Sequence, residues 1–164
     1  MAYRNKTYVC FDADTDIKYY NLMKAWKENE NIAFNFYNAH EINTLRDGSS
    51  EETIKRKLCE RLLNTKVLVV LIGEKTKNLY KYVRWEIEYA IDNDIPIIAV
   101  NLNGQKVQDG LCPPILKNEL AMYISYGQKI MNLALNSWPA QHEIEKKNGK
   151  AGPFYYPDTI YNKL

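Results

Sequence analysis

The sequence lacks any apolar run long enough to cross a membrane. No stretch approaches the roughly 18–20 consecutive apolar residues that a spanning helix needs. Residues 1–6 lead into a short strand-like run without the apolar core of a signal peptide. We therefore expect a cytoplasmic protein with no membrane partner.

Cysteine and histidine are scarce and are not arranged as metal ligands. The three cysteines, Cys10, Cys59 and Cys112, form neither a CxxC pair nor a Cys/His cluster with the spacing of a zinc site. His40 and His142 are far apart and have no ligand spacing either. We expect reduced, mostly buried thiols and no metal site.

A strong charge of one sign and a glycine-rich phosphate loop are also missing. The 22 basic and 20 acidic residues are interspersed and leave a net charge of +2, so there is no basic stripe of the kind that nucleic-acid binders use. Gly73 and Gly104 are isolated, and neither GxGxxG nor GxxxxGK[ST] occurs. These absences disfavour a nucleic-acid partner and exclude a standard nucleotide-binding loop.

What is present is an alternation of apolar runs and helical periodicities. The runs at 8–11, 33–37, 66–73 and 96–102 predict strands, and 121–124 predicts a fifth. Helices are predicted between them: after residue 14, from Ser49 with Glu52 in a capping box, over 80–93, and over 125–136.

This alternation predicts an α/β fold. The runs at 66–73 and 96–102 have no polar alternation, which is typical of parallel strands covered on both faces. We expect a flavodoxin-like, three-layer fold with a mostly parallel five-stranded sheet and right-handed crossovers. A chain of 164 residues fits one domain, 1–164, with its core at about 7–136 and an extension at 137–164 that wraps the core.

Ligands of such folds bind beyond the carboxyl ends of the strands. There the sequence places Phe11-Asp12, Asn38 and Gly73-Glu74. The pair Asp12 and Asp14 indicates either an acidic site or a helix cap with a solvated neighbour, Thr15 being another candidate cap.

Glu86 is the candidate catalytic residue. Its position on the helical wheel is next to the apolar stripe of the third helix, so its carboxylate borders the core near the strand ends, whereas Glu88 should be solvated. The alternative is a surface glutamate paired with Arg84 or Lys81. The neighbouring Trp85 is either a packing anchor or a stacking platform.

These residues resemble the core of bacterial TIR-like domains, in particular the TIR family of the Thoeris anti-phage defence system. The resemblance lies in the run 67–73, the Trp-Glu-Ile block within 82–91, and the strand 96–100. The strand end at Phe11-Asp12 and the long loop after Tyr37 are similar to that family's first strand and BB loop. Together they cover roughly residues 8–102.

The resemblance implies a TIR-type fold and an NAD-cleaving enzyme in which Glu86 is catalytic. Such proteins release nicotinamide and form a cyclic ADP-ribose isomer, a second messenger that activates a partner effector. NAD is then a substrate and there is no cofactor. Self-association through the BB loop is expected. The predicted NAD-binding residues are Phe11, Asp12, Asn38, Tyr80 and Trp85.

Tyr80 departs from the family pattern. Many TIR enzymes have a small Ser or Cys about six residues before the glutamate, where this chain has Tyr80. The tyrosine either supplies a hydroxyl, stacks on a base or changes the pose of the substrate, and the sequence does not choose among these roles.

Three other functions fit parts of the sequence. A nucleoside deoxyribosyltransferase-like enzyme also has a glutamate on a helix before a Pro-Ile-Ile-Ala-Val type strand. A non-catalytic TIR-like interaction module would use its BB loop and helix surfaces. A response-regulator receiver is disfavoured, because its phospho-acceptor aspartate should end the central strand, where this chain has Gly73-Glu74.

Overall fold

The computed structural model describes residues 6–28, 35–38, 50–79 and 81–164. Within these ranges six strands form one sheet in the order β2-β1-β3-β4-β5-β6, and each neighbouring pair is parallel. The strands are β1 (Lys6–Cys10), β2 (Asn35–Asn38), β3 (Val67–Ile72), β4 (Ile97–Asn101), β5 (Ala121–Ser125) and β6 (Pro153–Tyr155).

The order of the first five strands is that of a flavodoxin-like sheet. The predicted α/β fold is therefore confirmed, and β6 adds a sixth strand to the five that were predicted. In this order the chain leaves β1 toward one edge of the sheet and later continues from β3 toward the other. The switch point, where ligands of this fold class bind, consequently lies between β1 and β3.

Helices cover both faces of the sheet. They are α1 (Ile17–Glu28), α2 (Glu51–Leu62), α3 (Tyr82–Asp92), α4 (Gln128–Lys147) and α5 (Asp158–Lys163), with short 3₁₀ turns at Thr76–Asn78 and Pro114–Leu116. The α2 helix is capped by Ser50, whose hydroxyl accepts the Thr53 N–H at 3.2 Å. The prediction that Ser49 caps this helix is wrong by one residue.

Alternate residues of the strands are buried in two apolar clusters. Tyr8 and Cys10 of β1 join the cluster under α2 and α3, here called the α2/α3 face. Val9 and Phe11 join the cluster under α1 and α4, here called the α1/α4 face. Every residue of β3 and β4 is buried, which explains why these runs show no polar alternation.

The last part of the chain is more involved in the core than predicted. The helix expected to end at residue 136 continues as α4 to Lys147, with Pro139 inside it. Trp138 is fully buried on the α1/α4 face, and β6 pairs with β5. Burial of a large aromatic side chain contributes several kcal/mol, which offsets the roughly 3 kcal/mol cost of a proline within a helix.

No helix in the described ranges combines the length and the apolar character that crossing a bilayer requires.

Candidate functional site

Glu86 lies on the buried side of α3. Its side chain is 3% exposed, and it shares this side with Val83, Ile87 and Ala90. The alternative of a surface ion pair is therefore wrong. Lys81, one of its two candidate partners, instead contacts the exposed carboxylate of Glu51 on α2. A carboxylate in this position borders the sheet, as the helical spacing predicts.

Tyr8 of β1 holds the carboxylate of Glu86 from the sheet side. The tyrosine is fully buried, and its hydroxyl donates to Oε1 of Glu86 at 3.3 Å. Burial, followed by the negative charge of Glu86, raises the pKa of Tyr8 well above its usual value. The phenol therefore stays protonated near neutral pH and remains a hydrogen-bond donor.

Cys10 contacts the first turn of α3. Its thiol is buried and lies 3.9 Å from the carbonyl oxygen of Val83, to which it donates. Glu86 instead contacts Tyr8, two residues before Cys10 in β1, so Glu86 lies farther from the carboxyl end of β1 than Val83 does. The expectation of a buried thiol at Cys10 is confirmed, and Cys59 and Cys112 are half-buried.

Trp85 and Glu88 differ in their surroundings from Glu86. The Trp85 ring is half-buried, meets Tyr82 edge to face at 5.6 Å, and has Nζ of Lys55 on α2 at 5.4 Å from its centroid. These contacts are those of a packing anchor between α2 and α3. Glu88, expected to be solvated, is half-buried.

The structure does not bring the ring of Phe11 to Glu86. Phe11 stacks on Tyr20 of α1 with ring centroids 4.9 Å apart, and both lie on the α1/α4 face. Glu86 lies on the opposite face, next to Tyr8. The side chains of Phe11 and Glu86 therefore lie on opposite sides of the sheet.

Asp12 organises the loop between β1 and α1. Its carboxylate is 5% exposed and accepts the backbone N–H of Asp14 at 3.1 Å and the hydroxyl of Thr15 at 2.5 Å. The α1 helix begins at Ile17, so Asp16 directly precedes it, rather than either of the predicted caps, Asp14 and Thr15. Asp12 thus has a structural role in this loop.

Two predicted NAD-binding residues cannot be placed relative to Glu86. Asn38 ends β2, where its backbone pairs with Val9, but its side chain lies outside the described residues. Tyr80 lies outside them as well, together with His40 and the predicted BB loop at 39–49.

A cavity at the carboxyl ends of the strands is lined in part by Asp16, a residue that was not predicted from the sequence. This cavity of about 390 Å³ lies beyond β1, β3 and β4, lined among others by Thr15, Asp16, Gly73 and Lys75. Asp16 is 7% exposed, and its Oδ2 has no hydrogen-bond partner among the described residues. The signal available in the sequence was an aspartate in the loop directly after a strand end, close to the switch point.

The electrostatics of Asp16 are unusual for a residue in a surface loop. Burial raises the pKa of this carboxyl group, the neighbouring charges of Asp12 and Glu74 raise it further, and Lys18 opposes them. Perturbed titratable groups in a cavity are common at functional sites. This centre is separate from Glu86, which does not line the cavity.

A second cavity, of about 170 Å³, lies beside α3. Its lining includes Leu79, Val83, Ile87, Pro113 and Ile115, and Glu86 is not part of it. Within the described ranges, no group of three or more His, Cys, Asp or Glu residues is arranged to hold a metal ion.

Comparison with known families identifies the chain. The family described as Thoeris protein ThsB, TIR-like domain, matches residues 8–107, which is more than half of the 164 residues. The match begins in β1 and extends past β4, so it includes Tyr8, Asp16 and Glu86. The chain therefore belongs to this TIR-like family of Thoeris anti-phage defence, as its resemblance predicts.

Proposed function

We propose that this member of the Thoeris TIR-like family cleaves the bond between nicotinamide and ribose in NAD and joins the remaining ADP-ribose to itself. Glu86 is the catalytic carboxylate in this proposal. The observation that supports it most is the burial of Glu86 on α3, with its Oε1 hydrogen-bonded to Tyr8. A buried carboxylate costs several kcal/mol of solvation, so its presence favours a function.

The chemistry requires a negative charge next to the ribose. When the glycosidic C–N bond breaks, its electron pair returns to the pyridinium nitrogen, and nicotinamide leaves as a neutral molecule. The ribose passes through an oxocarbenium-like state, which a nearby carboxylate stabilises. In the low-dielectric surroundings of Glu86 this attraction is stronger than it would be in water.

The fate of the ribosyl cation decides between hydrolysis and cyclisation. In cyclisation, a hydroxyl or ring nitrogen of the same ADP-ribose forms the new bond to the anomeric carbon. A hydroxyl then releases its proton to solvent, whereas a ring nitrogen attacks with its lone pair, and the base loses a proton from its exocyclic amino group to solvent. Holding both groups in one pocket gives the intramolecular nucleophile a large advantage in effective concentration. Exclusion of water from the site would then favour the cyclic isomer.

The product would serve as a second messenger in anti-phage immunity. It would diffuse through the cytoplasm to a partner effector and activate it. NAD is the substrate, and the proposal requires no cofactor, metal, nucleic acid or membrane. Self-association through the segment after β2 would complete the site.

The test is mass spectrometry of small molecules from phage-infected cells that carry the wild-type chain, Glu86→Gln or Glu88→Gln. Glu88 is the matched control, because it lies on the same helix two residues away and is half-buried. We expect an ADP-ribose isomer with wild type and Glu88→Gln. Loss of a key electrostatic stabiliser should lower its formation by about 10²–10³-fold in Glu86→Gln.

Three results would contradict the proposal. If no isomer forms with any chain but all of them protect against phage, the protein is a non-catalytic interaction module. If purified protein releases bases from deoxynucleosides and leaves NAD intact, it is a deoxyribosyltransferase-like enzyme. Equal product from wild type and Glu86→Gln would exclude Glu86 as the catalytic group.

A further inference from the structure

The cavity beside α3 is lined mainly by apolar side chains. Leu79, Val83 and Ile87 belong to α3 and the segment before it, and Pro113 and Ile115 belong to the connection between β4 and β5. The volume of about 170 Å³ is below the roughly 300–1,000 Å³ of sites for larger ligands. It is close to that of an apolar cavity of about 150 Å³ that binds benzene. The cavity therefore has room for one six-membered ring.

Local structure holds the two segments that enclose this cavity. Pro113 and Pro114 lie at the start of a 3₁₀ turn, where their rings restrict the backbone. On the other side, the hydroxyl of Thr76 lines the cavity and accepts the N–H of Gly73 at 2.9 Å. Because these segments have little conformational freedom to lose, a ligand would bind at a small entropic cost.

The charged residues of the lining are both cations. Lys77 and Arg84 are exposed, and none of the described residues that line the cavity is an aspartate or a glutamate. Within the described ranges the guanidinium of Arg84 takes part in no hydrogen bond or ion pair. Lys77 donates to the backbone carbonyl of Gly110 at 3.4 Å, which is a long hydrogen bond. Both side chains can therefore reach a ligand.

The acidic residues nearest to these cations along the chain lie outside the lining. Glu74 lines the cavity at the strand ends instead, and Glu86 accepts from the buried hydroxyl of Tyr8. Glu88 follows Arg84 by about one helical turn, and no ion pair joins their side chains. The positive charge at the cavity is thus left to attract an anion.

We propose that this cavity binds a small aromatic monocarboxylate, of which benzoate is the simplest example. The ring would pack against Leu79, Val83 and Ile115. The carboxylate would lie at the exposed side, where Arg84 can donate two parallel hydrogen bonds and Lys77 adds a second positive charge. The proposal goes beyond the cleavage of NAD and does not depend on it, because Glu86 is not part of the lining.

The test is a two-dimensional NMR titration of the methyl-labelled full chain with benzoate, benzamide and acetate. Benzamide has the ring without the charge, and acetate has the charge without the ring. We expect benzoate to bind at least about tenfold more tightly than either, because only benzoate fills the cavity and also pairs with the cations. The methyl signals of Leu79, Val83 and Ile115 should shift on binding.

Two substitutions separate the charge from the shape of the cavity. Arg84→Gln should weaken benzoate binding by about tenfold and leave the affinity for benzamide unchanged, since it removes only the partner of the carboxylate. Arg56→Gln is the matched control, because Arg56 is an exposed arginine of α2 outside the lining, and it should have no effect. Ile115→Phe should weaken the binding of both ring ligands, because its own ring would occupy the cavity. Thermal unfolding of each variant shows whether it is folded.

Four results would overturn the proposal. They are equal affinity for benzoate and benzamide, unchanged benzoate affinity in folded Arg84→Gln, no benzoate binding by wild type, and methyl shifts confined to Leu102 and Leu111 of the other cavity. Glu86→Gln should bind benzoate as wild type does, even though it should lose NAD cleavage. Loss of benzoate binding in folded Glu86→Gln would place the ligand at the proposed cleavage site and overturn the proposal as well.

Discussion

The hydroxyl of Tyr8 donates a hydrogen bond to Oε1 of Glu86 across 3.3 Å, and both side chains are buried. The two residues are 78 positions apart in the chain and belong to different elements, β1 and α3. The bond therefore ties the proposed catalytic carboxylate to the first strand of the sheet. Its orientation depends on the packing of the helix on the sheet, and not on the helix alone.

Tyr8→Phe should reduce formation of the ADP-ribose isomer while the protein stays folded. The variant removes one hydrogen bond to the carboxylate and leaves the ring in place, so Glu86 becomes less well oriented. We expect a fall in kcat of about 10–100-fold, in line with the 1.5–3 kcal/mol of a hydrogen bond to a charged group. KM should change little if the tyrosine positions the carboxylate without contacting NAD.

Tyr123→Phe is the matched control for this variant. Tyr123 is also fully buried on the α2/α3 face, but its hydroxyl contacts Gln108 and Cys112 instead. It should lose a similar amount of stability and keep its activity. Equal losses of activity in the two variants would show that Tyr8 acts only through the stability of the fold.

Gly73→Ala should destabilise the fold through Asp16. The new methyl group would meet Oδ2 of Asp16 at 2.3 Å, so the carboxyl group must move within a crowded site. We expect a loss of about 1–3 kcal/mol in the free energy of unfolding, as for other overpacked sites. Urea titration of wild type, Gly73→Ala, Asp16→Ala and the double variant measures the coupling. Additive effects of the two substitutions would contradict the predicted clash.

Asp16→Asn should stabilise the protein at neutral pH. Burial, Asp12 and Glu74 raise the pKa of the Asp16 carboxyl group in the folded state, so its ionised form is a cost to folding at pH 7. As the pH falls through the raised pKa toward about 4, the folded protein binds a proton before the unfolded chain does, and the cost disappears.

The Tm of Asp16→Asn should therefore be a few degrees higher than that of wild type at about pH 7, equivalent to about 1 kcal/mol. This difference should shrink on acidification. Thermal scans at several pH values measure this, with Asp14→Asn as the control. A difference that stays constant with pH would show that ionisation of Asp16 does not limit stability.

His142→Phe should make the fold less sensitive to mild acid. His142 is buried on α4, neither ring nitrogen has a partner in the described residues, and Trp138 meets the ring edge to face at 5.9 Å. Burial lowers the pKa of His142, which Glu143 only partly opposes. Wild type should lose stability as the pH falls from about 6.5 toward this lowered pKa, because the unfolded chain binds the proton first.

This histidine can change the free energy of unfolding by at most about 1.4 kcal/mol per pH unit, and His142→Phe should remove that dependence. Urea titrations between about pH 7.5 and 5 compare the two chains. Glu143→Gln should have the opposite effect and be more sensitive to acid than wild type, because the charge of Glu143 no longer opposes the lowering of the His142 pKa. Parallel curves for wild type and His142→Phe would contradict the prediction.

Much of the fold could be predicted because the apolar composition of the strands indicates which of them are buried. The residues Val67–Ile72 are all buried, and their uninterrupted apolar run indicates a covered parallel strand. The end of the fourth helix could not be predicted in this way. The sequence predicts this helix only over 125–136, whereas the tertiary packing of Trp138 stabilises its continuation through Pro139 to Lys147.

The candidate site, too, could be predicted from the sequence only in part. The spacing of Glu86 from Val83 and Ile87 predicted that its carboxylate borders the core, because helical geometry fixes which residues share a side. The separation of Phe11 from Glu86 by the sheet depends on the register of β1, which a short apolar run does not reveal. The cavity at Asp16 arises from loops that are far apart in the chain.

The sequence by itself determined the parallel sheet and the buried side of α3, since these depend on local periodicity and composition, and its motifs resemble those of the family. Tertiary structure alone decided that Tyr8 is the partner of Glu86 and that Asp16 lies against Gly73. Both contacts join segments separated by more than fifty residues. Only the packing of helices and loops on the sheet brings such segments within hydrogen-bonding or van der Waals distance.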